Sequence, residues 1–246
     1  MLRSLFDTQL RLNARPDTPG DRVEHTGTVV RHLGSWNAVL WSQLSEDEAD
    51  AEIAAQIAYF GEREFEWKLY DRDQPADLPE RLRAAGFTAG EPETLMVADT
   101  ARLACDATPP DGITLREVRD EADVDLMVEV GARAFGSTPT AQRERLLAEL
   151  GSGVMVLAMA GTEPVCAARL SLHPGTDFAG LWGGGTVPGW RGRGLYRTLV
   201  AHRARIAAAR GYRYVHVEAL PTSAPILARL GFRALATTIP FTHAAT

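Results

Sequence analysis

A six-residue turn, Arg191-Gly192-Arg193-Gly194-Leu195-Tyr196, constrains the fold of this chain more than any other segment. Residues 178–187 before it are apolar and rich in glycine, as expected of a strand, and the apolar stripe over residues 195–210 predicts a helix after it. The two glycines permit a tight turn whose N–H groups can approach a ligand closely. Because a helix N-terminus adds free N–H groups and a positive dipole end, the turn can bind a diphosphate.

Two well-defined phosphate-binding patterns do not fit this turn. A P-loop requires a glycine followed by lysine, and the turn has no lysine. A dinucleotide fingerprint requires a third glycine where Arg197 stands, and it follows a first strand rather than a late one. A tight surface turn with exposed arginines is the alternative. On the helix that follows, we expect Arg203 to lie outside the apolar stripe.

Composition excludes several classes of function. The 246 residues carry a net charge of -6, which argues against a broad nucleic-acid-binding surface. Cys105 and Cys166 are too few for a disulfide framework or a zinc site, so we expect reduced thiols and no metal. The longest apolar run, residues 154–160, is far shorter than the ~18 residues of a membrane helix. We therefore expect a cytoplasmic protein that binds neither nucleic acid nor membrane.

A cluster of turn-forming and linker residues near the middle of the chain predicts two lobes. Pro109, Pro110 and Gly112 fall in the stretch 100–112, which we interpret as a boundary between a lobe over residues 1–105 and a domain over residues 113–246. In the domain, predicted strands alternate with predicted helices, which include a helix capped by Asp120 and one opened by Thr138 and Pro139. This order predicts an α/β (α+β) fold whose mixed, mainly antiparallel sheet is flanked by helices.

The first lobe looks like a degenerate half-copy of the second. A helix preceded by a Ser45–Glu48 capping box, a strand over 64–70, a helix over 78–85 and a strand over 93–97 repeat the order of the C-terminal elements. Residues 82–87 and 227–232 each end a helix with Gly-Phe. Acidic side chains stand where a diphosphate turn would precede the first helix, so we expect this lobe to be non-catalytic.

The segment from Pro188 to Tyr196 resembles the coenzyme-A-binding motif of the GNAT acetyltransferase superfamily, Arg/Gln-x-x-Gly-x-Gly/Ala. Leu230-Gly231-Phe232, about 37 residues later, resembles the Leu-Gly-Phe of that family. The resemblance covers roughly residues 113–243. It implies a GNAT-like fold and binding of acetyl-CoA or another short acyl-CoA.

The resemblance also implies which residues bind the coenzyme. Backbone groups of Gly184, Gly185 and Thr186 would hold the pantetheine arm on a bulged strand that separates from its neighbour. The diphosphate would contact Arg191, Gly192, Arg193, Gly194, Leu195, Tyr196 and Arg197.

Three positions depart from the family pattern. Tyr196 occupies the place of the last Gly/Ala of the motif, which alters the fit around the turn. Leu220 and Leu227 stand where the family often has Asn and a general-acid Tyr. Because leucine cannot transfer a proton, the leaving thiolate would depart unassisted or take a proton from water or another group.

His216 and Glu218 are the candidate general bases, because they alternate on one face of the strand predicted over residues 212–220. Glu218 is the preferred base, because a carboxylate beside the separated strands could remove the proton through water, and His216 is the second candidate. A packed polar histidine and a solvated strand end are the alternative interpretations. Arg169 and His173 on a neighbouring strand could touch the acceptor, and Trp182 could shape its pocket, although core and surface roles explain them too.

The sequence therefore predicts an acetyl-CoA-dependent N-acyltransferase that acts on a primary amine of a small molecule or peptide by direct attack. A non-catalytic acyl-CoA-binding or sensing protein is the alternative, favoured by the two leucines at positions 220 and 227.

Overall fold

A computed structural model describes residues 1–103, 108–136 and 139–245. The predictions for Cys105 and Thr138 lie outside the described residues. Contacts divide the chain into a first unit, Met1–Met96 with Glu218–Ile226 and Ala234–Thr246, and a second unit, Val97–Val217 with Leu227–Arg233. The predicted boundary at residues 100–112 therefore does not separate the units completely, because two C-terminal segments group with the first unit.

Ten helices and strands lie in residues 1–103, before the expected boundary. The helices and strands of residues 1–103 are α1 (Leu2–Phe6, continued by a π-helical turn Asp7–Leu12), β1 (Arg22–His25), β2 (Val29–Leu33), β3 (Ala38–Ser42), α2 (Ala49–Phe60), β4 (Phe65–Tyr70), α3 (Leu78–Ala84), β5 (Thr88–Ala89), β6 (Glu93–Asp99) and α4 (Thr100–Leu103).

The remaining elements carry the predicted glycine-rich turn. The helices and strands of residues 108–245 are β7 (Ile113–Glu117), α5 (Glu121–Phe135), α6 (Pro139–Glu149), β8 (Val154–Ala160), β9 (Glu163–Leu172), β10 (Phe178–Thr186, followed by a 3-10 turn Pro188–Trp190), α7 (Leu195–Ala209), β11 (Tyr214–Ala219), α8 (Ala224–Arg229) and β12 (Arg233–His243).

Both units contain mainly antiparallel strands. In the first unit the order is β1-β2-β3-β4-β12, and only β3 and β4 are parallel. In the second unit the order is β11-β10-β9-β8-β7, and only β10 and β11 are parallel. Each parallel pair is joined through one helix, α2 or α7, because parallel strands require a crossover. The predicted α/β class with a mainly antiparallel sheet is confirmed.

Buried apolar side chains hold helices against strands in each unit. In the first unit Phe60 of α2 stacks on Phe65 of β4 at a centroid distance of 4.2 Å, and Trp67 is 1% exposed. In the second unit Met127 of α5 and Leu146 of α6 pack on Leu157 of β8. Burial of each such side chain contributes roughly 1.5–3 kcal/mol. No helix in the described part of the chain is long and apolar enough to cross a membrane.

The predicted helix starts and ends agree with the structure in most details. Asp120 caps α5 by accepting a hydrogen bond from the N–H of Asp123 at 2.9 Å. The two Gly-Phe segments end α3 and α8 with equivalent hydrogen bonds. The N–H of Phe87 donates to the carbonyl oxygen of Leu82, and the N–H of Phe232 donates to the carbonyl oxygen of Leu227. The local repeat predicted from the sequence is therefore present. Its origin by duplication stays a prediction.

The capping box at the start of α2 is only half formed. The carboxylate of Glu48 accepts from both the N–H and the hydroxyl of Ser45, and α2 begins at Ala49. The hydrogen bonds from Ser45 lower the pKa of Glu48. This turn therefore carries its own anion where the second unit has its glycine-rich turn.

Candidate functional site

Strand β10 separates from β11 partway along its length. The parallel register joins Phe178–Gly180 with Tyr214–His216, and β10 then continues to Thr186. Its pairing with β9 shifts register between Trp182 and Gly185, and Gly183 has φ +57°. A bulge of this kind bends a strand and leaves backbone groups unpaired. Beyond Gly180 and His216 the register of β10 with β11 ends, and a gap begins between the two strands.

The glycine-rich turn connects this bulged strand to α7. Gly192 and Gly194 have φ +74° and +83°, a left-handed conformation that glycine adopts without steric cost. A Cβ at either position would meet no atom within 4 Å, so open space lies in front of the turn. No side chain caps α7, whose first N–H groups therefore point outward. This geometry fits a bound diphosphate.

The three arginines of the turn differ in their partners. Arg191 donates to the carbonyl oxygens of Thr186 at 3.2 Å and of Ala134 at 3.1 Å, so it fixes the turn to the end of α5. Arg193 lies over the ring of Trp190, with its guanidinium carbon 4.6 Å from the centroid. Arg197 is exposed on the first turn of α7. Arg191 therefore has a structural task, and Arg193 and Arg197 stand on the surface beside the open amides.

Tyr196 occupies space that the glycine run of β10 leaves free. A Cβ on Gly184 would lie 2.8 Å from the ring of Tyr196, and one on Gly185 would lie 2.5 Å from the ring of Phe135. A side chain at position 184 would therefore collide with the ring of Tyr196, and one at position 185 with the ring of Phe135. The departure at Tyr196 is therefore matched by the glycines on β10, and burial raises the pKa of the tyrosine. Beside them, Thr186 contacts the buried free thiol of Cys166 at 3.1 Å.

Arg203 of α7 contacts the backbone of β9 and β10 at the bulge. This is contrary to the prediction that it lies outside the apolar stripe of its helix. It is 1% exposed, and its Nη1 donates to the carbonyl oxygens of Arg169 at 2.7 Å and Trp182 at 3.3 Å. Burial lowers its pKa to about 10, so it remains charged near neutral pH. The sequence did contain a signal for this burial. Arg203 follows Leu199 by four residues, which places it on the same helix face as Leu195 and Leu199.

His216 lies where β10 and β11 begin to separate. Its Nε2 is 3.3 Å from Nε2 of His173, and its ring meets Trp182 edge to face at a centroid distance of 5.7 Å. A Cβ on Gly180 would lie 3.1 Å from the same Nε2. His216 is 4% exposed. Three of the side chains singled out in the sequence are thus brought together at the start of the gap.

Glu218 belongs to the first unit and lies in a buried ionic cluster there. The hydroxyl of Tyr70 donates to its Oε1 at 2.7 Å, and the ammonium of Lys68 contacts its Oε2. Lys68 also lies 3.7 Å from Glu66 and 3.9 Å from Glu93. The attraction of these carboxylates raises the pKa of Lys68 against the effect of burial. The carboxylate of Glu218 is therefore already held by a cation and a hydroxyl within the first unit.

The same cluster predicts how stability depends on pH. Burial raises the pKa of Glu93 from 4.5 to about 7, so the folded state retains a proton that the unfolded state loses. Its contribution to stability is complete below pH 4.5 and is lost as the pH rises through 7. Glu93→Gln should therefore leave the free energy of unfolding unchanged at pH 4 and raise it at pH 8 by roughly 2 kcal/mol.

Urea unfolding at the two pH values measures this difference. Glu62→Gln serves as the control because Glu62 is exposed and is not among the groups that shift the pKa of Glu93, so its effect on the free energy of unfolding should be small at both pH values. Equal pH dependence in Glu93→Gln and the parent protein would contradict the prediction.

A cavity of about 460 Å³ lies within the second unit, beside the bulge of β10. Helices α5 and α6, strand β9 and Gly183 and Gly185 of β10 enclose it. Its apolar lining includes Met127, Val130, Phe135 and Leu146, and Arg145 and Arg169 supply its charge. This volume accommodates a small organic molecule. Trp182 is not among the residues that line this cavity.

The two leucines that depart from the family pattern differ in exposure. Leu220 is 40% exposed in the first unit, and Leu227 is fully buried in the second. Neither side chain can donate a proton, so neither supplies the general acid that the family pattern implies.

The chain resembles several solved structures over its whole length. A GCN5-related N-acetyltransferase from Kribbella flavida matches with a TM-score of 0.69 and 18% identity, covering 98% of this chain and 93% of that one. A functionally unknown conserved protein from Staphylococcus epidermidis matches with a TM-score of 0.73 and 14% identity, covering 100% of both. A tandem GNAT protein from the clavulanic acid biosynthesis pathway matches with a TM-score of 0.61 and 15% identity, covering 94% and 85%. No protein-family model and no curated protein matches.

Proposed function

Because this chain has the fold of the GCN5-related N-acetyltransferases, as its motifs predicted, we propose that it is an acetyl-CoA-dependent N-acyltransferase. It moves an acetyl group, or another short acyl group, to a primary amine of a small molecule or peptide. The observation that carries this proposal is the open N-terminus of α7 behind Gly192 and Gly194, directly after a strand that is bulged and leaves its parallel partner.

The residues around the bulge would divide the binding of the acyl donor. Backbone groups of Gly184, Gly185 and Thr186 would bind the pantetheine arm along β10. The outward N–H groups of residues 192–197 would bind the diphosphate, which they favour through hydrogen bonds and the helix dipole. Arg193 and Arg197 would add charge at the surface.

Acetyl-CoA supplies an activated thioester carbonyl, to which a neutral amine adds directly. His216 would accept the proton that the attacking nitrogen loses as the C–N bond forms and the C–S bond breaks. A free N–H of the bulged strand would donate to the oxyanion that develops on the carbonyl oxygen. The departing thiolate would take its proton from water, since a thiol with a pKa near 8.5 leaves readily.

We assign the base to His216 rather than to Glu218, the candidate that the sequence favoured, because of their contacts. His216 lies at the end of the β10–β11 register, in the unit that contains the turn. Glu218 accepts from Tyr70 and pairs with Lys68, so its carboxylate is already engaged within the first unit. Its proposed role is to hold the ionic cluster of the first unit together.

Release of free thiol from acetyl-CoA in the presence of a panel of amines tests the proposal. We expect turnover with at least one amine, and mass spectrometry should find the product heavier by one acetyl group. Calorimetry with acetyl-CoA alone should show binding. If acetyl-CoA does not bind, the proposal is wrong.

A non-catalytic acyl-CoA-binding or sensing role is the second candidate. Leu220 and Leu227 favour it, because neither can take part in proton transfer. Tight binding of acetyl-CoA without thiol release for any amine in the panel would support this role and exclude the transferase.

A further inference from the structure

We infer that the cavity beside the bulge takes an acceptor that joins an apolar body to a carboxylate, in the manner of an apolar amino acid. The inference rests on the proposed function, because it names the amine that would be acylated. It follows from the position, lining and charge of the cavity.

The cavity opens onto the part of β10 where the reaction would occur. Gly183 and Gly185 of the bulge form one wall, and a Cβ on Gly183 would lie 3.2 Å from Nε of Arg169. An amine held in this cavity would therefore lie beside the strand that is proposed to bind the thioester. Its volume of about 460 Å³ suits an amino acid better than a folded protein segment.

Apolar side chains from two helices form most of the other walls. Met127, Val130 and Phe135 come from α5, and Leu146 comes from α6. Phe135 is 62% exposed, although its ring also lies against Gly185. A large aromatic side chain at the rim of a cavity offers apolar area to a ligand. These residues would cover an aliphatic or aromatic side chain of the acceptor.

The charged groups of the lining are both cationic. Arg145 comes from α6 and Arg169 from β9, and none of the described lining residues is acidic. Glu149, which does not line the cavity, pairs with both arginines. Its carboxylate accepts from Nε of Arg145 at 3.0 Å and contacts Nη1 of Arg169. One carboxylate for two guanidinium groups leaves a single excess positive charge. A monoanionic carboxylate balances that charge, and a bidentate contact with arginine would orient it.

The same charge has a favourable effect on the attacking nitrogen. A nearby cation disfavours the protonated form of an amine, and only the neutral form attacks the thioester. It also opposes entry of a polyamine, whose additional ammonium groups would meet Arg145 and Arg169. The charge therefore selects for an acceptor with a carboxylate and one amine.

Kinetics with paired acceptors tests this inference. Leucine and 3-methylbutylamine form one pair, and phenylalanine and 2-phenylethylamine form another; within each pair only the carboxylate differs. Arg145→Gln should lower kcat/KM for each amino acid by about tenfold and change it for each amine by less than about twofold. Because the variant and the parent are compared on the same acceptor, differences in amine basicity cancel.

Two further variants sharpen the test. Glu149→Gln keeps an oxygen for Arg169 but removes the negative charge, so it should raise the preference for the amino acid severalfold. Arg143→Gln is the matched control, because Arg143 on the same helix pairs with Asp125 and Glu121 and does not line the cavity. Equal losses on both members of a pair in Arg145→Gln would overturn the inference.

Binding without turnover separates this inference from the proposed function. Calorimetry with N-acetylleucine and N-acetylleucinamide needs no reaction, and we expect about tenfold tighter binding of the acid, lost in Arg145→Gln. Equal binding of acid and amide would refute the carboxylate site even if some amine is acetylated. Preference for the acid without any acetyl transfer would keep the carboxylate site and refute the transferase.

Discussion

Gly194→Val should weaken the binding of acetyl-CoA by about a hundredfold or more. The valine side chain would project into the open space in front of the turn and keep the diphosphate from the N–H groups of α7. Loss of two charge-assisted hydrogen bonds at about 1.5 kcal/mol each corresponds to this change in affinity. Calorimetry with acetyl-CoA measures it directly.

A second glycine distinguishes loss of the site from backbone strain. Gly161, in the β8–β9 turn, also has a positive φ, +60°, and open space at its Cβ position. Valine in the left-handed region costs about 1–3 kcal/mol at either position. Gly161→Val should therefore lower stability similarly and leave the affinity for acetyl-CoA unchanged. Unchanged affinity in a folded Gly194→Val protein would remove the main support for the site.

His216→Gln should lower kcat by about a hundredfold or more once an acceptor is known, because a positioned general base contributes about that much. Affinity for acetyl-CoA should change little. Timed assays of thiol release measure kcat, and calorimetry measures the affinity for acetyl-CoA.

Two controls accompany this variant. His202→Gln removes a histidine from the middle of α7 and should leave kcat unchanged, since His202 contacts Arg205 on its own helix. Glu218→Gln should change kcat by less than about threefold but lower stability, because it leaves Lys68 with weaker partners. A hundredfold loss in Glu218→Gln with a small loss in His216→Gln would reverse the assignment.

Local sequence patterns were sufficient for the glycine-rich turn. Gly192 and Gly194 adopt the left-handed conformations that a tight turn before a helix requires, and the helix begins at Leu195 as predicted. The strand, the turn and the helix are contiguous, so their geometry depends on short-range rules. The Gly-Phe ends of α3 and α8 were predictable for the same reason.

Long-range contacts were not predictable from those patterns. Glu218 pairs with Tyr70 across 148 positions of sequence, and nothing near residue 218 indicates that a lysine and a tyrosine will surround it. Arg203 was placed outside the apolar stripe because arginine is usually exposed, yet it bonds carbonyl groups of two strands.

Strands β1, β2 and β3 of the first unit were missed for a different reason, whereas β4 and β6 were predicted. β1, β2 and β3 are four or five residues long, and β2 is buried at all five positions, so it lacks the alternation that marks a half-exposed strand. Val29-Val30 and residues 38–41 were the available apolar signals. The acidic turn before α2 was correctly located, because it follows from Ser45 and Glu48 alone.

The pairing of β12 with β4 has a consequence for how this protein is made. The hydroxyl of Thr238 in β12 donates to the carbonyl oxygen of Leu69 in β4 across 169 positions of sequence. Strand β4 therefore leaves the ribosome early and lacks its partner β12 until the end of translation. At 5–20 residues per second that interval is roughly 10–30 s. During it β4 presents an unpaired edge to other nascent chains. Synonymous codon changes that slow elongation over the C-terminal half should therefore raise the fraction of aggregated product without altering a single side chain.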